Sequence, residues 1–124
     1  MTKNQPPDLP PVAERRPKPR TRVLVGGVVV WDLGRSKLNC KIRDINDGGA
    51  RVAVPRAKDL PPVIHLINVK DHICHESRIA WRSADEMGLT FLNSYDLLQN
   101  IDPARNYLRK IWDERANVNA LWKG

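Results

Sequence analysis

The sequence has little cysteine and no long apolar segment, and these shortages exclude several classes of protein. Its 124 residues include two cysteines, Cys40 and Cys74, which are too few for a disulfide scaffold and suit a reducing compartment. The longest apolar stretch, Val23 to Trp31, is far shorter than the roughly 20 residues that a membrane-spanning helix requires. The N-terminus is polar and rich in proline, unlike a secretory signal peptide. We therefore expect a cytoplasmic protein without a membrane span.

The sequence also lacks the arrangements that catalyse reactions or bind metals. His72, Cys74 and His75 lie close together, but no second pair follows at the spacing of zinc ligands. No Ser/His/Asp set or pair of carboxylates stands out, so we expect neither an enzyme nor a cofactor. With one phenylalanine and two tyrosines, the chain has no aromatic residues interleaved with basic ones, as single-stranded nucleic-acid binders do. A nucleic acid is therefore not the favoured partner.

Positive charge, in contrast, is abundant and concentrated near the N-terminus. The 21 Lys and Arg residues outnumber the 14 Asp and Glu residues, which gives a formal net charge of +7 and predicts an anionic partner. Many basic residues lie in segment 15–22, where Pro17 and Pro19 favour an extended loop over a helix. Residues 1–14 contain four prolines and no periodicity, a composition that predicts a disordered arm.

From Thr21 onward, apolar and polar residues alternate over short stretches, which predicts β-strands. For example, Leu38, Cys40 and Ile42 share one face of a predicted strand. Strands are predicted at residues 21–31, 37–45, 50–54, 63–69, 73–82 and 87–91, with glycine and proline turns between them. Short strands at this spacing are typical of a small antiparallel barrel. We expect Trp31 and Trp81 to lie in its core.

The C-terminal part of the chain has a helical pattern. Asp102 is suited to cap a helix N-terminus, and Pro103 to occupy the first helical position. Apolar residues then recur at helical spacing: Leu108, Ile111, Val118 and Trp122. We predict an amphipathic helix that packs on the barrel or on a second subunit, preceded by a short helical turn at residues 94–100.

Two short segments carry side chains that suit a nucleotide. Segment 15–20 places Arg16 and Arg20 at R-x-x-x-R spacing, and segment 44–49 places Asp44, Asn46 and Gly49 at D-x-N-x-x-G spacing. An arginine fork fits a phosphate or the O6/N7 edge of guanine bidentately, and a carboxylate accepts from the opposite guanine edge. Alone, the arginines would suit a solvated basic tail, and Asp, Asn and Gly are ordinary turn residues. The presence of both segments in one chain favours a ligand site.

The order of these features resembles the PilZ domain family. The matching features together cover about residues 15–93. In order, they are the R-x-x-x-R segment, a valine-rich strand, D-x-N-x-x-G, GARVAV, and later IAWR and MGLTF. The resemblance implies a mainly β fold, a six-stranded antiparallel PilZ-type β-barrel with a C-terminal α-helix and a disordered N-terminal arm. It divides a single-domain protein into an arm at 1–14, a barrel domain at 15–93 and a helical segment at 94–124.

PilZ domains are mostly receptors for cyclic di-GMP, a bacterial second messenger, so the resemblance implies a signalling module. The implied ligand-binding residues are Arg15, Arg16, Arg20, Asp44, Asn46 and Gly49. Asn46 stands where the family usually has serine. Ligand binding would order the N-terminal loop of a monomer or homodimer, and a protein partner would read the change. The alternative is a degenerate PilZ barrel that acts as a ligand-independent protein-interaction module.

Overall fold

A computed structural model of the protein describes residues 21–123, and its centre is a closed antiparallel barrel. The barrel contains six strands: β1 (Thr21–Trp31), β2 (Ser36–Ile45), β3 (Gly49–Ala53), β4 (Val63–Asn68), β5 (Ile73–Arg82) and β6 (Glu86–Asp96). Their order around the barrel is β1-β2-β3-β6-β5-β4, and β4 pairs with β1 to close it. The predicted six-stranded barrel is therefore confirmed.

The barrel interior is filled by the apolar residues that alternate along each strand. Ile42, Val52 and Leu66 are fully buried there, and Trp31 packs partly buried against the same cluster. Because successive side chains of a strand point to opposite faces, the predicted inward face of β2 follows directly from its sequence pattern, and the structure bears it out.

A second apolar core lies between the outer face of the barrel and the C-terminal helix, α1 (Asn106–Lys123). Val28 and Val30 point outward from β1 and are buried beneath Leu108 and Ile111 of α1. Strand β1 is thus covered on both faces, which explains its nearly continuous run of valine. The predicted amphipathic helix packs on the barrel.

Helix α1 begins as the sequence predicts. The Asp102 carboxylate accepts a hydrogen bond from the backbone N–H of Ala104, and a 3₁₀ turn at Pro103–Arg105 leads into the helix. The indole N–H of Trp112 donates to the carbonyl of Val69 at 2.8 Å. This bond ties the helix to the chain that follows β4.

The structure corrects two predictions. Residues 94–96 continue strand β6, which pairs with β5 as far as Asp96, and a turn rather than a helical turn follows. Trp81 is 47% exposed and not in the core. Between Ile79 and Trp81 the register of β5 against β6 shifts, and an extra residue in a strand reverses the alternation beyond it. Trp81 therefore points outward.

Within residues 21–123, no helix is long and apolar enough to cross a membrane. The predicted arm at residues 1–14 and the side chains of Arg15, Arg16 and Arg20 lie outside the described residues.

Candidate ligand-binding site

The turn between β2 and β3 is built by Asn46. Its side-chain oxygen accepts hydrogen bonds from the backbone N–H groups of Gly48 and Gly49, at 2.8 and 2.9 Å. The backbone N–H of Asn46 in turn donates to the carbonyl of Gly49 at 2.9 Å. A short polar side chain that accepts from the backbone two or three residues ahead stabilises a tight turn. The primary role visible for Asn46 is to hold this turn.

Gly49 lies where β3 approaches β6 most closely. A Cβ atom at this position would overlap the carbonyl oxygen of Leu89 on β6. Only glycine allows two backbones to come together in this way. The space that Gly49 leaves is thus filled by the neighbouring strand, and its role at this point is to close the barrel beside the turn.

Asp44 lies on β2, immediately before the turn, and is paired with an arginine of the next strand. The Nε of Arg51 donates to Oδ2 of Asp44 at 2.6 Å, and its Nη1 lies 3.3 Å from an oxygen of Glu86 on β6. Glu86 also forms an ion pair with Arg43 at 3.2 Å. The pKa of Arg51 is raised, mainly by its hydrogen bond to Asp44 and to a lesser extent by its other interactions with the two carboxylates. Two acidic and two basic side chains thus form one network.

This network is part of a row of residues that crosses five strands. Register pairing places Arg22 of β1 opposite Asp44, and Asp44 opposite Arg51. Arg51 is opposite Gly88 of β6, which is opposite Trp81 of β5. Adjacent strands lie about 4.8 Å apart, so Asp44 and Trp81 are separated by roughly 14 Å along the sheet. From Asp44 to Trp81 the row lies on the outer face of the barrel and begins beside the turn.

Trp81 presents its indole ring on this surface. The ring lies over Gly88, where a Cβ atom would collide with the indole Nε1, Cε2 and Cδ1 atoms. The absence of a side chain at Gly88 therefore leaves room for the indole to lie against the backbone of β6. A half-exposed indole is the type of surface on which a nucleobase stacks.

A groove of about 620 Å³ continues from this network towards α1. Arg43 and Glu86 belong to both features, and the groove is also lined by Lys41, Arg115 and Asp85. Its charged lining thus has three basic and two acidic side chains, and its size leaves room for a group larger than a single phosphate. Among residues 21–123, no group of three or more His, Cys, Asp or Glu side chains is placed to hold a metal ion.

On the other side of the turn, a cavity of about 410 Å³ opens at the mouth of the barrel between Asn46 and His75. The imidazole of His75 stacks on Phe91 with 3.9 Å between ring centroids, and its Nδ1 lies 2.7 Å from the hydroxyl of Ser94. Burial lowers the pKa of His75 to about 4, against an opposing effect of the Asp71 carboxylate. His75 is therefore a neutral part of the barrel wall near pH 7.

The family model for the PilZ domain matches residues 14–107. The chain belongs to the PilZ domain family. Its members form a family of cyclic di-GMP receptors, which are ligand-binding modules rather than enzymes in general. A comparison with curated proteins finds no match.

The match includes both motifs of this PilZ domain. The structure brings Asp44, Asn46 and Gly49 together around one turn. Thr21, the first described residue, pairs with Ile45 inside the same segment. Arg20, the last residue of the first motif, directly precedes Thr21 in the chain.

The sequence did not identify Arg51 and Glu86, which share a network with Asp44 of the PilZ motif, or Trp81 at the far end of the row. A signal for Arg51 was present, because a tight turn at residues 46–49 pairs the strand positions on either side of it and brings Asp44 opposite Arg51. No comparable signal existed for Trp81. The register shift that turns its ring outward arises from the pairing of β5 with β6, which is a contact between strands and not a local pattern.

Proposed function

We propose that this PilZ domain is a cyclic di-GMP receptor that holds its ligand between the N-terminal arginines and the outer surface beside the β2–β3 turn. The pairing of Thr21 with Ile45 carries the proposal. Because Arg20 directly precedes Thr21 in the chain, this pairing supports a shared site for the R-x-x-x-R and D-x-N-x-x-G segments, which are about 25 residues apart in sequence. The proposed ligand-binding residues are Arg15, Arg16, Arg20, Asp44, Asn46 and Gly49.

The reach of the chain agrees with this placement. Arg20 is adjacent to Thr21, and Arg16 lies five residues before Thr21, so its Cα is at most about 18 Å from that of Thr21 in an extended chain. The row from Asp44 to Trp81 spans roughly 14 Å along the sheet. Thr21 lies on β1, one strand before Asp44, so the Cα of residue 16 can reach the positions of this row on β2, β3 and β6, which lie within roughly 14 Å of Thr21 along the sheet.

The chemistry of the surface fits a dinucleotide with two phosphates and two guanines. Arginine forks bind phosphate or the O6/N7 edge of guanine bidentately and also stack on a base, and lysine has no equivalent geometry. Trp81 offers a stacking platform at the far end of the row, and base stacking on an aromatic side chain is worth about 1–3 kcal/mol. The groove beside Arg43 leaves room for the rest of the molecule.

The proposed mechanism of signalling is a change of order in the N-terminal loop. Binding fixes residues 15–20 on the ligand, and residues 1–14 change position with them. A protein partner in the bacterial cytoplasm reads this change. The net charge of residues 1–22, with six basic and two acidic side chains, makes the position of this segment a strong electrostatic signal.

Titration calorimetry of the purified protein with cyclic di-GMP tests the proposal. We expect binding at micromolar concentration or tighter, and Arg20→Ala to weaken it at least tenfold, because a charge-assisted hydrogen bond contributes roughly 1.5–3 kcal/mol. Arg35→Ala is the matched control: it removes the same charge, and Arg35 lies between β1 and β2 at the other end of β1, with a weak exposed ion pair to Asp32 at 3.7 Å. Cyclic di-AMP serves as the control ligand.

The fluorescence of Trp81, measured by difference from Trp81→Phe, should change on titration if the base stacks on the indole. Absence of heat from the wild-type protein at micromolar ligand would contradict the receptor proposal. It would support a ligand-independent interaction module, especially if an Arg16/Arg20 double alanine variant retained all partner binding.

A further inference from the structure

We propose that the first half of β2 is an open strand edge that receives an extended, acidic segment of a partner protein as an additional strand. This surface lies at the end of β2 away from the β2–β3 turn. Its role does not depend on the identity of the nucleotide.

Strand β2 extends further than the strand beside it. Its ten residues pair with β1 from Ser36 to Ile45, whereas β3 has five residues and pairs with β2 only from Lys41 onward. Within residues 21–123, the backbone of residues 36–40 therefore pairs with β1 alone. Alternate residues of a strand direct their N–H and C=O groups to opposite sides, so some of these groups point away from β1. We call residues 36–40 the open edge.

The loop that follows β3 uses its backbone groups elsewhere. The N–H of Val54 donates to the carbonyl of Asp85 at 3.0 Å, and Pro55 has no N–H to offer. Further along, Nη1 of Arg82 donates to three carbonyls of residues 57–60. The chain thus turns away from β2 after β3 ends, and it does not continue the ladder along the open edge.

The groove of about 620 Å³ joins the ligand row to the open edge. At one end it includes Arg43, beside the ligand row. Towards the start of β2 it is lined by Asn39 and Cys40 on one side, and by Val54 and Pro55 of the loop on the other. An extended chain that enters this second end can form main-chain hydrogen bonds to the open edge, as in β-augmentation.

The side chains of β2 select an acidic strand. Lys37, Asn39 and Lys41 are exposed on its outer face, whereas Leu38 and Cys40 pack against the barrel core. Opposite charges attract across neighbouring strands and like charges repel, so carboxylates are favoured opposite the two lysines. Lysines on an edge also oppose its pairing with a second copy of the same edge. The partner segment therefore carries acidic residues at alternate positions, with small apolar residues between them.

A short synthetic peptide in which glutamate alternates with valine is the probe, measured with the full-length protein by calorimetry and amide hydrogen exchange. We expect binding that weakens with added salt, and new protection of those amides in residues 36–40 that point away from β1. A peptide with lysine in place of glutamate should bind about tenfold more weakly. Glutamate and valine amides of an extended peptide face opposite sides. N-methylation of one residue type should therefore abolish binding, and N-methylation of the other should preserve it.

Exchange of charge on β2 tests the selectivity. Lys37→Glu/Lys41→Glu should reverse the preference, so that the lysine peptide binds about tenfold more tightly than the glutamate peptide. Lys70→Glu/Lys110→Glu is the matched control, because it changes the net charge equally at two exposed lysines, after β4 and on α1, and it should keep the wild-type preference. Thermal unfolding checks that each variant is folded. If the β2 variant does not fold, the peptide series with the wild type decides the question.

Several results would overturn the proposal. The glutamate peptide could fail to bind, bind no better than the lysine peptide, or protect amides elsewhere. Protection of the open edge in the free monomer would show that another segment of this chain covers it, and protection that grows with protein concentration would assign the edge to a second copy. Protection of the same amides by cyclic di-GMP alone would assign this end of the groove to the nucleotide. The receptor proposal is decided separately, by the nucleotide titration.

Discussion

The stacked pair of His75 and Phe91 should make the stability of the barrel depend on pH. His75 is buried in the barrel wall, with Ser94 as its hydrogen-bond partner. Desolvation lowers its pKa from 6.5 to about 4, although Asp71 opposes the change. The folded protein therefore resists protonation of this ring, whereas in the unfolded chain the ring is protonated near its ordinary pKa of 6.5.

The sign and size of the effect follow from the two pKa values. The folded pKa is lower than the unfolded one, so stability is complete above pH 6.5 and is lost as the pH falls towards 4. Integration of the difference in bound protons gives a loss of about 2 kcal/mol between pH 7 and pH 5, and about 3 kcal/mol by pH 4. The first interval is the more informative, because most carboxylates remain ionised throughout it.

Urea unfolding of the wild type and of His75→Gln at pH 7 and pH 5 measures this contribution. Glutamine does not titrate and can still donate to Ser94. Whatever the stability of the variant at pH 7, its loss between the two pH values should be smaller than the wild-type loss by about 2 kcal/mol. The subtraction removes the effects of the other titrating groups. Equal losses in both proteins would refute the assignment of a depressed pKa to His75.

Three further changes test the local roles of single residues. Gly49→Ala should lower the free energy of unfolding by about 1–3 kcal/mol or more, because the new Cβ overlaps the carbonyl of Leu89; a loss within 0.5 kcal/mol of zero would contradict the close approach. Asn46→Ala should cost about 1 kcal/mol by removal of the turn acceptor, and Asn46→Ser should restore most of it; equal unfolding curves for the two variants would refute the turn role. Trp112→Phe should cost about 1 kcal/mol, because the carbonyl of Val69 loses its donor, and thermal unfolding that matches the wild type would count against it.

Most of the fold is predictable from the sequence, because it depends on local alternation. The inward positions of β2 and β3 follow from a period of two, and the start of α1 follows from the Asp102 cap. The exceptions arise where strands interact with one another. Strand β6 continues to Asp96 because β5 provides a partner along its whole length, and Trp81 is turned outward by a register shift between these strands. Neither the length of β6 nor the register shift can be recognised from the local sequence.

The candidate site was predictable only in part, because some of its contacts depend on the pairing of strands. The motif positions Asp44 and Gly49 are recognisable from spacing, and the structure brings them to one turn. The contact of Asp44 with Arg51 depends on the pairing of β2 with β3, and that of Arg51 with Glu86 depends on a strand 35 residues further along the chain. Spacing identifies residues that share a segment, but pairing determines which of them share a surface.

The structure also changes how the departure of this chain from the usual PilZ motif is understood. Asn46 stands in the place of serine and has the larger side chain. The Asn46 side-chain oxygen accepts from the backbone N–H groups of Gly48 and Gly49, and a serine hydroxyl oxygen can accept from the same backbone positions of a turn. Both residues can thus close the turn that places Asp44 and Arg51 on the barrel surface. The substitution on its own therefore gives no physical reason to prefer a ligand-independent module over a receptor.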